Sequence, residues 1–482
     1  MKEVFLYYIL VKNKIMEKEF FENSPIPAGD KPKPEEKEKI VFRAGMSPTE
    51  SNKKIGPIRS HFYNYAFAKS EAEKGKDSKI IFRVDDTDKE KHTKEKTEDI
   101  FRFFTDTLGF RFDITPHNAE KEIGQSVFQS ERQEIYQGYL EELFDKHVAF
   151  IDKESGLVLF DIKKFIDQYE DTLEIDDLLR GKIKFKLEGN LRRGQKFFPL
   201  MRSDKSALYH LASVVDDKTF GVTHVVRGQD KLSIAEFQEM VRISLGLEPK
   251  KYLHTPMLLD AEGKMPKGAV KFDDFIKQGI VPHALISYMV SSGYGNPETI
   301  YPSLDEFIKN FDYEKIHKNN GKFDQEKLDD INRKLIRKMT PEIYLSSFLL
   351  YLVKNNENQL AEQLKDDDNL GKLLVSFRRT PEESLDILRS VLNPQHEEIN
   401  AEMKKIIKQL LVELDKSAEK IPTPEMLGLE KRKVYDGLRW ILVGKYTFPN
   451  IDQVFNYLRN KNLLRSRIEL AKQTCSEDAL PS

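Results

Sequence analysis

Strand-like apolar segments alternate with amphipathic segments of helical period along the first half of the chain. Residues 39–43 and 79–84 are short, mostly apolar runs, and residues 58–73 between them carry large apolar side chains at helical spacing. A strand, a helix and a second strand in this order predict a βαβ unit with parallel strands and a right-handed crossover. Helices predicted near residues 94–108 and 131–146 continue the alternation.

The pattern then changes twice. Between residues 150 and 200, short strand-like pieces alternate with turns, which indicates an insertion into the α/β domain. Alternation of strands and helices resumes between residues 208 and 259, and from about residue 305 the apolar periodicity is almost entirely helical. We therefore predict a Rossmann-like α/β domain with a parallel sheet and an α+β insertion, followed by an all-helical C-terminal region.

Composition narrows the class of protein. The 482 residues suffice for several domains with sizeable cores. Because 78 Lys and Arg residues balance 80 Asp and Glu residues, a polyanionic partner must be held by local basic patches. The single cysteine, Cys475, excludes a disulfide framework and a cysteine-based zinc site, and it fits a reducing compartment. No apolar run in the sequence approaches the roughly 18 residues needed to span a bilayer.

One strand is followed directly by a group of carboxylates. Asp85, Asp86 and Asp88 come immediately after the apolar run 79–84. Ligands of open α/β sheets bind at the carboxyl ends of strands, so these acids indicate a cationic or ammonium-bearing ligand. An Asp-rich turn that only caps the next helix is an equally good interpretation of this stretch.

The loop at residues 43–59 leaves a predicted strand and enters a predicted helix. Backbone amides at such a helix N-terminus form natural phosphate sites. Gly56 would let a nucleotide approach the backbone closely, and Lys54 or Arg59 could neutralise phosphate. Taken alone, the loop is better explained as a plain connection with Pro and Ser at its turns.

A second basic loop, residues 260–268, carries Lys264 and Lys267 between glycines. Two lysines in a glycine-flanked loop suit a mobile clamp on a triphosphate, where charge develops on phosphoryl oxygens. A solvated turn is the simpler interpretation of this loop when it is considered by itself.

The separate pieces occur together in one order and spacing. They are residues 43–49, 55–56, 83–88, 129–132, 177–181, 202–204, 209–217, 223–228 and 264–267. This ordered set resembles a bacterial-type glutamyl-tRNA synthetase, a class I aminoacyl-tRNA synthetase, with degenerate nucleotide-binding signatures. Its most specific parts are Gln129-Ser130-Glu131-Arg132 and the block at residues 214–228. The likeness covers about residues 39–470, including Phe323-Asp324 in the helical half.

The resemblance implies an ATP-dependent ligation of glutamate to tRNA(Glu) through a glutamyl-adenylate intermediate. It implies ATP and Mg²⁺ as cofactors, no zinc, and no protein ligand for a metal. The residues that match the family's glutamate pocket are Arg43, Ser47, Asp85, Tyr209 and Arg227. Those that match its nucleotide-binding and catalytic loops are Lys54, Ile55, Gly56, Lys264 and Lys267.

Composition and periodicity, together with the resemblance, divide the chain into six parts. These are a disordered extension (1–38), the first half of the catalytic domain (39–150), an acceptor-binding insertion (151–200), the second half (201–300), a connecting helical domain (301–340) and a helical anticodon-binding domain (341–482). For tRNA contact we expect Arg192 and Arg193 in the insertion, and Arg333 and Arg337 at helical spacing. A basic stripe of this kind is otherwise typical of a solvated helix face.

Two signatures depart from the family pattern. Lys54-Ile55-Gly56-Pro57 stands where the family has His-Ile-Gly-His or His-Ile-Gly-Gly. Pro266 stands between Lys264 and Lys267 where the family has serine. Asp85 replaces the usual glutamate, one methylene longer. These departures leave open a catalytically impaired paralogue that binds tRNA or protein partners.

Two related enzymes fit the sequence less well. The helical C-terminal half argues against a shorter paralogue that lacks the anticodon domain, and against a glutaminyl enzyme, whose C-terminal half is β-rich. We expect a cytoplasmic monomer that takes part in translation and has no membrane partner.

Overall fold

The computed structural model describes residues 38–49, 53–88, 93–260, 262–263, 271–377, 379–417, 420–446 and 450–477. The predicted disordered extension, apart from Glu38, lies outside these ranges. The described residues divide into two compact units, one within Ile26–Asp274 and Pro282–Ile331, the other within Phe275–Val281 and Asn332–Ser482. None of the helices in these ranges has the length and apolar character needed to cross a membrane.

Strands and helices alternate through the catalytic half. From Lys39 to Lys322 the elements are β1 (Lys39–Met46), α1 (Ile55–Glu73), β2 (Asp77–Val84), α2 (Lys94–Arg102), α3 (Ala119–Ile123), α4 (Gln133–Asp145), β3 (Ala149–Ile151), β4 (Val158–Asp161), α5 (Ile162–Gln168), β5 (Thr172–Asp177), β6 (Gly181–Lys186), α6 (Glu188–Arg192), β7 (Phe197–Met201), α7 (Tyr209–Thr219), β8 (His224–Gly228), α8 (Leu232–Ser244), β9 (Lys251–Thr255), β10 (Leu258–Leu259), α9 (Phe272–Lys277), α10 (Pro282–Ser291), α11 (Leu304–Lys309) and β11 (Gly321–Lys322).

The main sheet of the described residues has six strands in the order β2-β1-β8-β9-β5-β6. All neighbours pair in parallel except β6, which is antiparallel to β5. The chain leaves β1 towards β2 on one side, and β8 lies on the other side of β1, so the direction of winding switches between β1 and β8. Ligands bind at such a switch point, outside the carboxyl ends of the strands. The predicted Rossmann-like parallel sheet is confirmed.

Both faces of the sheet are covered, which explains why its strands are apolar runs without strict alternation. Val41 and Ile81 pack on one face with Ala235 of α8. Phe42 faces the other side, where its ring lies 5.1 Å from that of Phe67 in α1. The sheet therefore forms the central layer of the core and fixes the positions of its strand ends.

The insertion is only partly separate from the parent domain. β3, β4 and β7 form their own three-stranded antiparallel sheet. β5 instead pairs with β9 through Asp176 and Lys251, so β5 and β6 extend the main sheet. Side chains of β5 alternate between buried and exposed positions, as expected for a strand covered on one face.

The C-terminal part of the described chain is helical, as predicted. Its helices are α12 (Gln325–Lys338), α13 (Pro341–Lys354), α14 (Asn358–Asp366), α15 (Asp368–Phe377), α16 (Pro381–Leu392), α17 (Ala401–Lys416), α18 (Pro424–Leu427), α19 (Lys431–Val443), α20 (Ile451–Asn460) and α21 (Leu464–Glu477). Trp440 is 1% exposed in α19, where its indole N–H donates to the carbonyl oxygen of Glu397 at 2.8 Å. The only tryptophan of the sequence is therefore a core residue.

Two glycines end helices of this unit in the left-handed region but differ in their surroundings. Gly444 follows α19 with φ +79°, and a Cβ added there would overlap the carbonyl oxygen of Gln395. Gly428 follows α18 with φ +64°, and a Cβ added there meets nothing within 4 Å among the described residues. Gly428 therefore provides a matched control for the backbone conformation alone.

We expect Gly444→Ala to lower Tm by clearly more than Gly428→Ala. Left-handed backbone costs an alanine about 1–2 kcal/mol at either position, and only Gly444→Ala adds the overlap with backbone. Thermal unfolding followed by circular dichroism would compare the two variants. Equal shifts in Tm would contradict the close packing of Gly444.

Candidate functional site

The carboxyl edge of the main sheet collects the charged residues that the sequence singled out. Arg43 lies on β1, Asp85 follows β2, and Arg227 lies near the end of β8. Tyr209 begins α7, and Ser213 lies four positions later, on the same face of that helix. The hydrogen bonds of these elements form two clusters, one around Arg43 and Asp85 and the other around Arg227.

Arg43 is held by a carboxylate of α7. Its Nε donates to Asp217 Oδ1 at 3.1 Å, and its guanidinium is almost completely buried. Arg83 of β2 donates to the same oxygen through Nη1 at 3.2 Å. Asn64 of α1 donates to the carbonyl oxygen of Arg43 at 2.9 Å, which ties α1 to the same point. Arg43 therefore has a fixed position at the switch point.

Asp85 is oriented by Arg83. The guanidinium of Arg83 is buried and donates to both Asp85 oxygens, at 2.6 Å from Nε and 3.1 Å from Nη2. A Cβ added at Gly45 would lie 2.6 Å from Asp85 Oδ2. The backbone of β1 thus needs glycine at this position so that the carboxylate can lie against it. Asp85 is partly exposed, and anionic groups at this edge favour a cationic ligand group.

The acids after β2 do not cap the next helix in the way considered from the sequence. The cap of α2 is Thr93, whose side chain accepts from the backbone N–H of Lys96 at 3.3 Å. Asp86 instead accepts from the backbone N–H of Ser130 at 2.8 Å and from its hydroxyl at 2.6 Å. The capping interpretation is therefore wrong for Asp85 and Asp86.

Asp216 is the centre of a buried polar cluster. It accepts from Arg132 Nε at 2.8 Å, from the Tyr136 hydroxyl at 2.9 Å and from Gln129 Nε2 at 2.8 Å. Burial raises the pKa of Asp216, while Arg83 and Arg132 oppose that shift. The motif at residues 129–132 thus holds Asp216 of α7 in position through Gln129 and Arg132.

Sequence reasoning did not assign this supporting role to Arg83 or Arg132. The signal was present at Arg83, since a charged residue between Phe82 and Val84 in a buried strand needs a buried partner. The partners of Arg132 and Arg43 are Asp216 and Asp217, two neighbouring carboxylates of α7.

Arg227 has a different environment from Arg43. Its Nε donates to His254 Nε2 at 3.1 Å, and its Nη1 donates to Gln238 Oε1 at 2.7 Å. Its Nη2 is buried and has no hydrogen-bond partner among the described residues. A buried charged donor without an acceptor is costly, so this nitrogen marks a place where a ligand anion would be stabilised.

His210, the residue after Tyr209 in α7, lies near Arg227. The ring of His210 lies 5.4 Å from that of Phe237 in α8, beside Gln238. Burial, followed by the nearby Arg227, lowers the pKa of His210 to about 4. His210 is therefore neutral at physiological pH and adds no charge to the pocket.

The first nucleotide loop is only partly as expected. α1 begins at Ile55, directly after Lys54, and has no acidic residue in its first turn. Ser47 lies half-buried in the turn after β1, where its carbonyl oxygen accepts from the N–H of Thr49 at 2.7 Å. Gly56 has open space around its α-carbon among the described residues. The start of α1 can therefore receive an anion at its backbone amides.

Arg59, considered from the sequence as a phosphate contact, has another role. It is 2% exposed and donates to the carbonyl oxygens of Pro256 at 2.6 Å and Ser292 at 2.5 Å. These bonds tie α1 to the chain after β9 and to the end of α10. The phosphate interpretation of Arg59 is wrong, while Lys264 and Lys267 lie outside the described residues.

Comparison with known proteins agrees with this architecture. A family model described as "tRNA synthetases class I (E and Q), catalytic domain" matches residues 40–164 and 160–330. The chain belongs to this family. The identification from sequence as a bacterial-type glutamyl-tRNA synthetase is confirmed by its relatives.

Similar synthetases match nearly the whole chain. The glutamate–tRNA ligase 2 of Campylobacter jejuni subsp. doylei is 28% identical over 462 residues, with 87% of this chain and 98% of the relative covered. A glutamate–tRNA ligase of Sulfurimonas denitrificans is 27% identical over 480 residues, with 90% and 99% covered. A crystal structure of a glutamate tRNA ligase from Elizabethkingia meningosepticum in complex with its amino acid has a TM-score of 0.70 at 20% identity, with 91% and 100% covered, and shows the same fold.

In this synthetase the arginines expected to contact tRNA near the acceptor end are exposed. Arg192 is 80% exposed at its side chain and pairs with Glu188 at 3.0 Å, one turn earlier in α6. Arg193 is also exposed, and its Nη2 donates to Asn190. Both guanidiniums lie at the surface of the insertion, within reach of a large partner. Exposure alone is also typical of solvated basic residues.

Arg333 and Arg337 of the synthetase line a cavity of about 290 Å³ in the helical unit. The other lining residues are Ile336, Phe377, Arg379, Thr380 and Glu383. Arg379 lies 3.6 Å from Glu383, which also closes a capping box with Thr380 at the start of α16. Three guanidiniums against one carboxylate give the cavity a positive balance, so it suits an anionic ligand. No group of His, Cys, Asp and Glu in the described ranges could hold a metal ion.

We expect Asp216→Asn to destabilise the synthetase by about 3–5 kcal/mol, because buried Arg132 would lose its carboxylate. Asp99→Asn is the matched control, since Asp99 is 57% exposed and pairs with Lys53 at the surface. That change should cost less than about 1 kcal/mol. Thermal unfolding of the two variants measures the difference, and a small shift for Asp216→Asn would show that the cluster is not essential to the fold.

Proposed function

We propose that this chain ligates glutamate to tRNA(Glu), using ATP and passing through a glutamyl-adenylate. The observation that carries the proposal is Arg227, whose buried Nη2 has no partner among the described residues at the edge where the sheet binds ligands. An arginine in this state is suited to a carboxylate, because its unpartnered Nη2 can donate a charge-assisted hydrogen bond to a carboxylate oxygen. The family membership and the glutamate–tRNA ligases among the relatives support the same substrate.

We assign the remaining pocket roles by charge. Arg227 and Arg43 take the carboxylates of glutamate, and Asp85 takes its ammonium group. Arg83 and Asp217 hold Asp85 and Arg43 at their positions, so the pocket is organised before substrate binds. Tyr209 and Ser47 complete the lining, as the family resemblance implies. Asp85 is one methylene shorter than the family's usual glutamate, and in this proposal the close approach of the Gly45 backbone compensates for the lost length.

The nucleotide lies at the start of α1 in this proposal. Backbone amides at Ile55 and Gly56 receive phosphate, with Lys54 in place of a histidine. Lys264 and Lys267 stabilise the charge that develops on phosphoryl oxygens as a glutamate carboxylate attacks the α-phosphate and pyrophosphate leaves. Mg²⁺ would accompany the triphosphate and neutralise its charge, and the protein groups named here would orient it.

A catalytically impaired relative remains the second candidate. It is favoured by Pro266, which removes a backbone donor from the second signature, and by Lys54 and Pro57 in the first. Such a protein would bind tRNA or a protein partner without forming the adenylate. A protein that only binds tRNA or a partner would not need an oriented Asp85 or a buried Arg227 nitrogen without a partner. We therefore prefer the hypothesis of an active enzyme.

ATP–pyrophosphate exchange by the purified chain, with glutamate and tRNA present, tests the proposal. We expect exchange with glutamate, a much weaker signal with glutamine, and acylation of tRNA(Glu) from total tRNA. A well-folded sample that shows no exchange at saturating glutamate would favour the impaired relative instead.

We expect Lys267→Ala to slow adenylate formation at least tenfold, which corresponds to about 1.4 kcal/mol of transition-state stabilisation. The measurement is single-turnover pyrophosphate release at saturating ATP and glutamate. Lys277→Ala, a change at the end of α9 outside the signature loop, serves as the control for loss of one charge. An unchanged rate in Lys267→Ala would remove the assigned role of the second loop.

The helical unit contributes the tRNA contacts of this proposal, together with Arg192 and Arg193 of the insertion. The cavity lined by Arg333, Arg337 and Arg379 is a suitable place for backbone phosphate, because arginine pairs with phosphate as it does with carboxylate. With a near-neutral net charge of −2, the chain depends on such local patches for RNA binding.

We expect the double variant Arg333→Gln with Arg379→Gln to bind tRNA(Glu) at least tenfold more weakly at 0.15 M salt. The slope of log K against log salt should fall by about one for each phosphate that the variant no longer neutralises. Arg432→Gln is a control for the loss of one charge, because Arg432 is 91% exposed in the same unit and lies outside the cavity lining. Fluorescence anisotropy with labelled tRNA gives both quantities, and equal losses of affinity in the double variant and the control would indicate a general charge effect.

A further inference from the structure

Three neighbouring strands end in polar residues that contact one another in a row. Asp177 ends β5, His254 lies near the end of β9, and Arg227 lies near the end of β8. β9 is the neighbour of both other strands, and Arg227 and His254 are register partners across the β8–β9 pair. Because the strands are parallel, their ends share one edge, and the three side chains meet there.

Asp177 receives hydrogen bonds on both of its oxygens. Oδ1 accepts from the backbone N–H groups of Leu179 at 3.0 Å and Arg180 at 2.9 Å, and Oδ2 accepts from the backbone N–H of His254 at 3.0 Å. Burial alone would raise the pKa of Asp177, but the hydrogen bonds from His254 and Arg180 bring it below its usual value. Asp177 is therefore an ionised carboxylate and cannot donate.

The contacts of His254 determine its tautomer. Its Nδ1 lies 2.8 Å from Asp177 Oδ2, and because an ionised carboxylate only accepts, this nitrogen carries the proton. Its Nε2 lies 3.1 Å from Arg227 Nε, and because arginine only donates, this nitrogen must accept. Both ring nitrogens are thus assigned, and the imidazole is neutral. Burial lowers the pKa of His254, which agrees with the neutral form.

The row of contacts fixes the plane of the Arg227 guanidinium. His254 Nε2 accepts from Arg227 Nε–H, and Gln238 Oε1 accepts from Nη1–H at an N···O distance of 2.7 Å. The guanidinium carbon lies 5.5 Å from the centre of the Tyr252 ring. Tyr252 and His254 are themselves stacked, with ring centres 5.6 Å apart. Only Nη2 is left without a partner in the described part of the chain.

We propose that Asp177 and His254 form a positioning pair that aims Arg227 Nη2 at the carboxylate of the amino-acid substrate. The inference rests on the proposed function, since it names the residues that make Arg227 selective for a carboxylate. Neither residue touches substrate. Asp177 fixes the tautomer of His254, and His254 fixes the rotation of Arg227, as a supporting carboxylate fixes an orienting imidazole in many sites.

Two substitutions of His254 separate this role from simple packing. The amide of glutamine can place an acceptor near the position of Nε2, whereas the amide of asparagine reproduces the Nδ1 donor and leaves Arg227 Nε without an acceptor. His254→Asn should raise KM for glutamate at least tenfold, with KM for ATP changed less than twofold. His254→Gln should restore most of the loss.

Asp177→Asn provides a second and independent test. This change keeps the size of the side chain but no longer requires a proton on Nδ1 of His254, so that Nε2 can carry the proton and face the donor on Arg227. The same selective rise in KM for glutamate is expected. Glutamate-dependent exchange gives KM for each substrate, and the shift of Tm on adding glutamate measures binding without chemistry.

The outcomes separate this inference from the function it rests on. A wild-type chain that neither exchanges nor gains thermal stability with glutamate would overturn the proposed function and the pair together. A wild-type chain that does both, with equal KM for glutamate in His254→Asn and His254→Gln, would overturn the pair alone. Equal rises of KM for glutamate and ATP would likewise overturn the pair, since they would show a general loss of structure.

Discussion

The buried charges of Arg83, Arg132, Asp216 and Asp217 are the constraint on which the rest of the site depends. Four ionisable side chains in a water-poor core are tolerated only when each has a partner, because an uncompensated buried charge costs several kcal/mol. Their contacts join β2 to α7 and to the segment that precedes α4. The requirement for pairing therefore sets the distance between elements that are far apart in sequence, and Arg43 and Asp85 take their positions from it.

The hydrogen-bond partners of Arg227 differ in charge from those of Arg43 and Arg83. Arg43 and Arg83 use hydrogen-bonding capacity on carboxylates of the protein itself. Arg227 is held by neutral groups, an imidazole and an amide, so its charge is not cancelled by a neighbouring anion in direct contact. The charge of Arg227 is therefore available to an anionic ligand, while Arg83, Asp216 and Asp217 form the frame that holds Arg43 and Asp85.

The fold followed from the sequence wherever periodicity was strong. The βαβ start and the helical C-terminal half were predictable because buried strands and helices differ in length and period. The six-part division and the site assignments stay predictions. Contacts between residues far apart in sequence could not be predicted from local patterns. No neighbouring residue indicates that Asp86 accepts from Ser130, or that Arg59 donates to backbone carbonyl oxygens. His254 was overlooked because a lone histidine in an apolar strand has no pattern of its own.

The placement of β5 has a consequence for exchanging parts between related synthetases. In the sequence, residues 151–200 resemble a module that could be exchanged as a unit. In the structure, however, β5 pairs with β9 of the main sheet, and Asp177, the last residue of β5, contacts His254. A chimera cut at the ends of that module would exchange Asp177, which contacts His254, along with the exposed surface of the insertion. Boundaries that keep the β5–β6 hairpin with its native β9 would transplant only the three-stranded β3-β4-β7 layer and would leave the contact between Asp177 and His254 unchanged in the host.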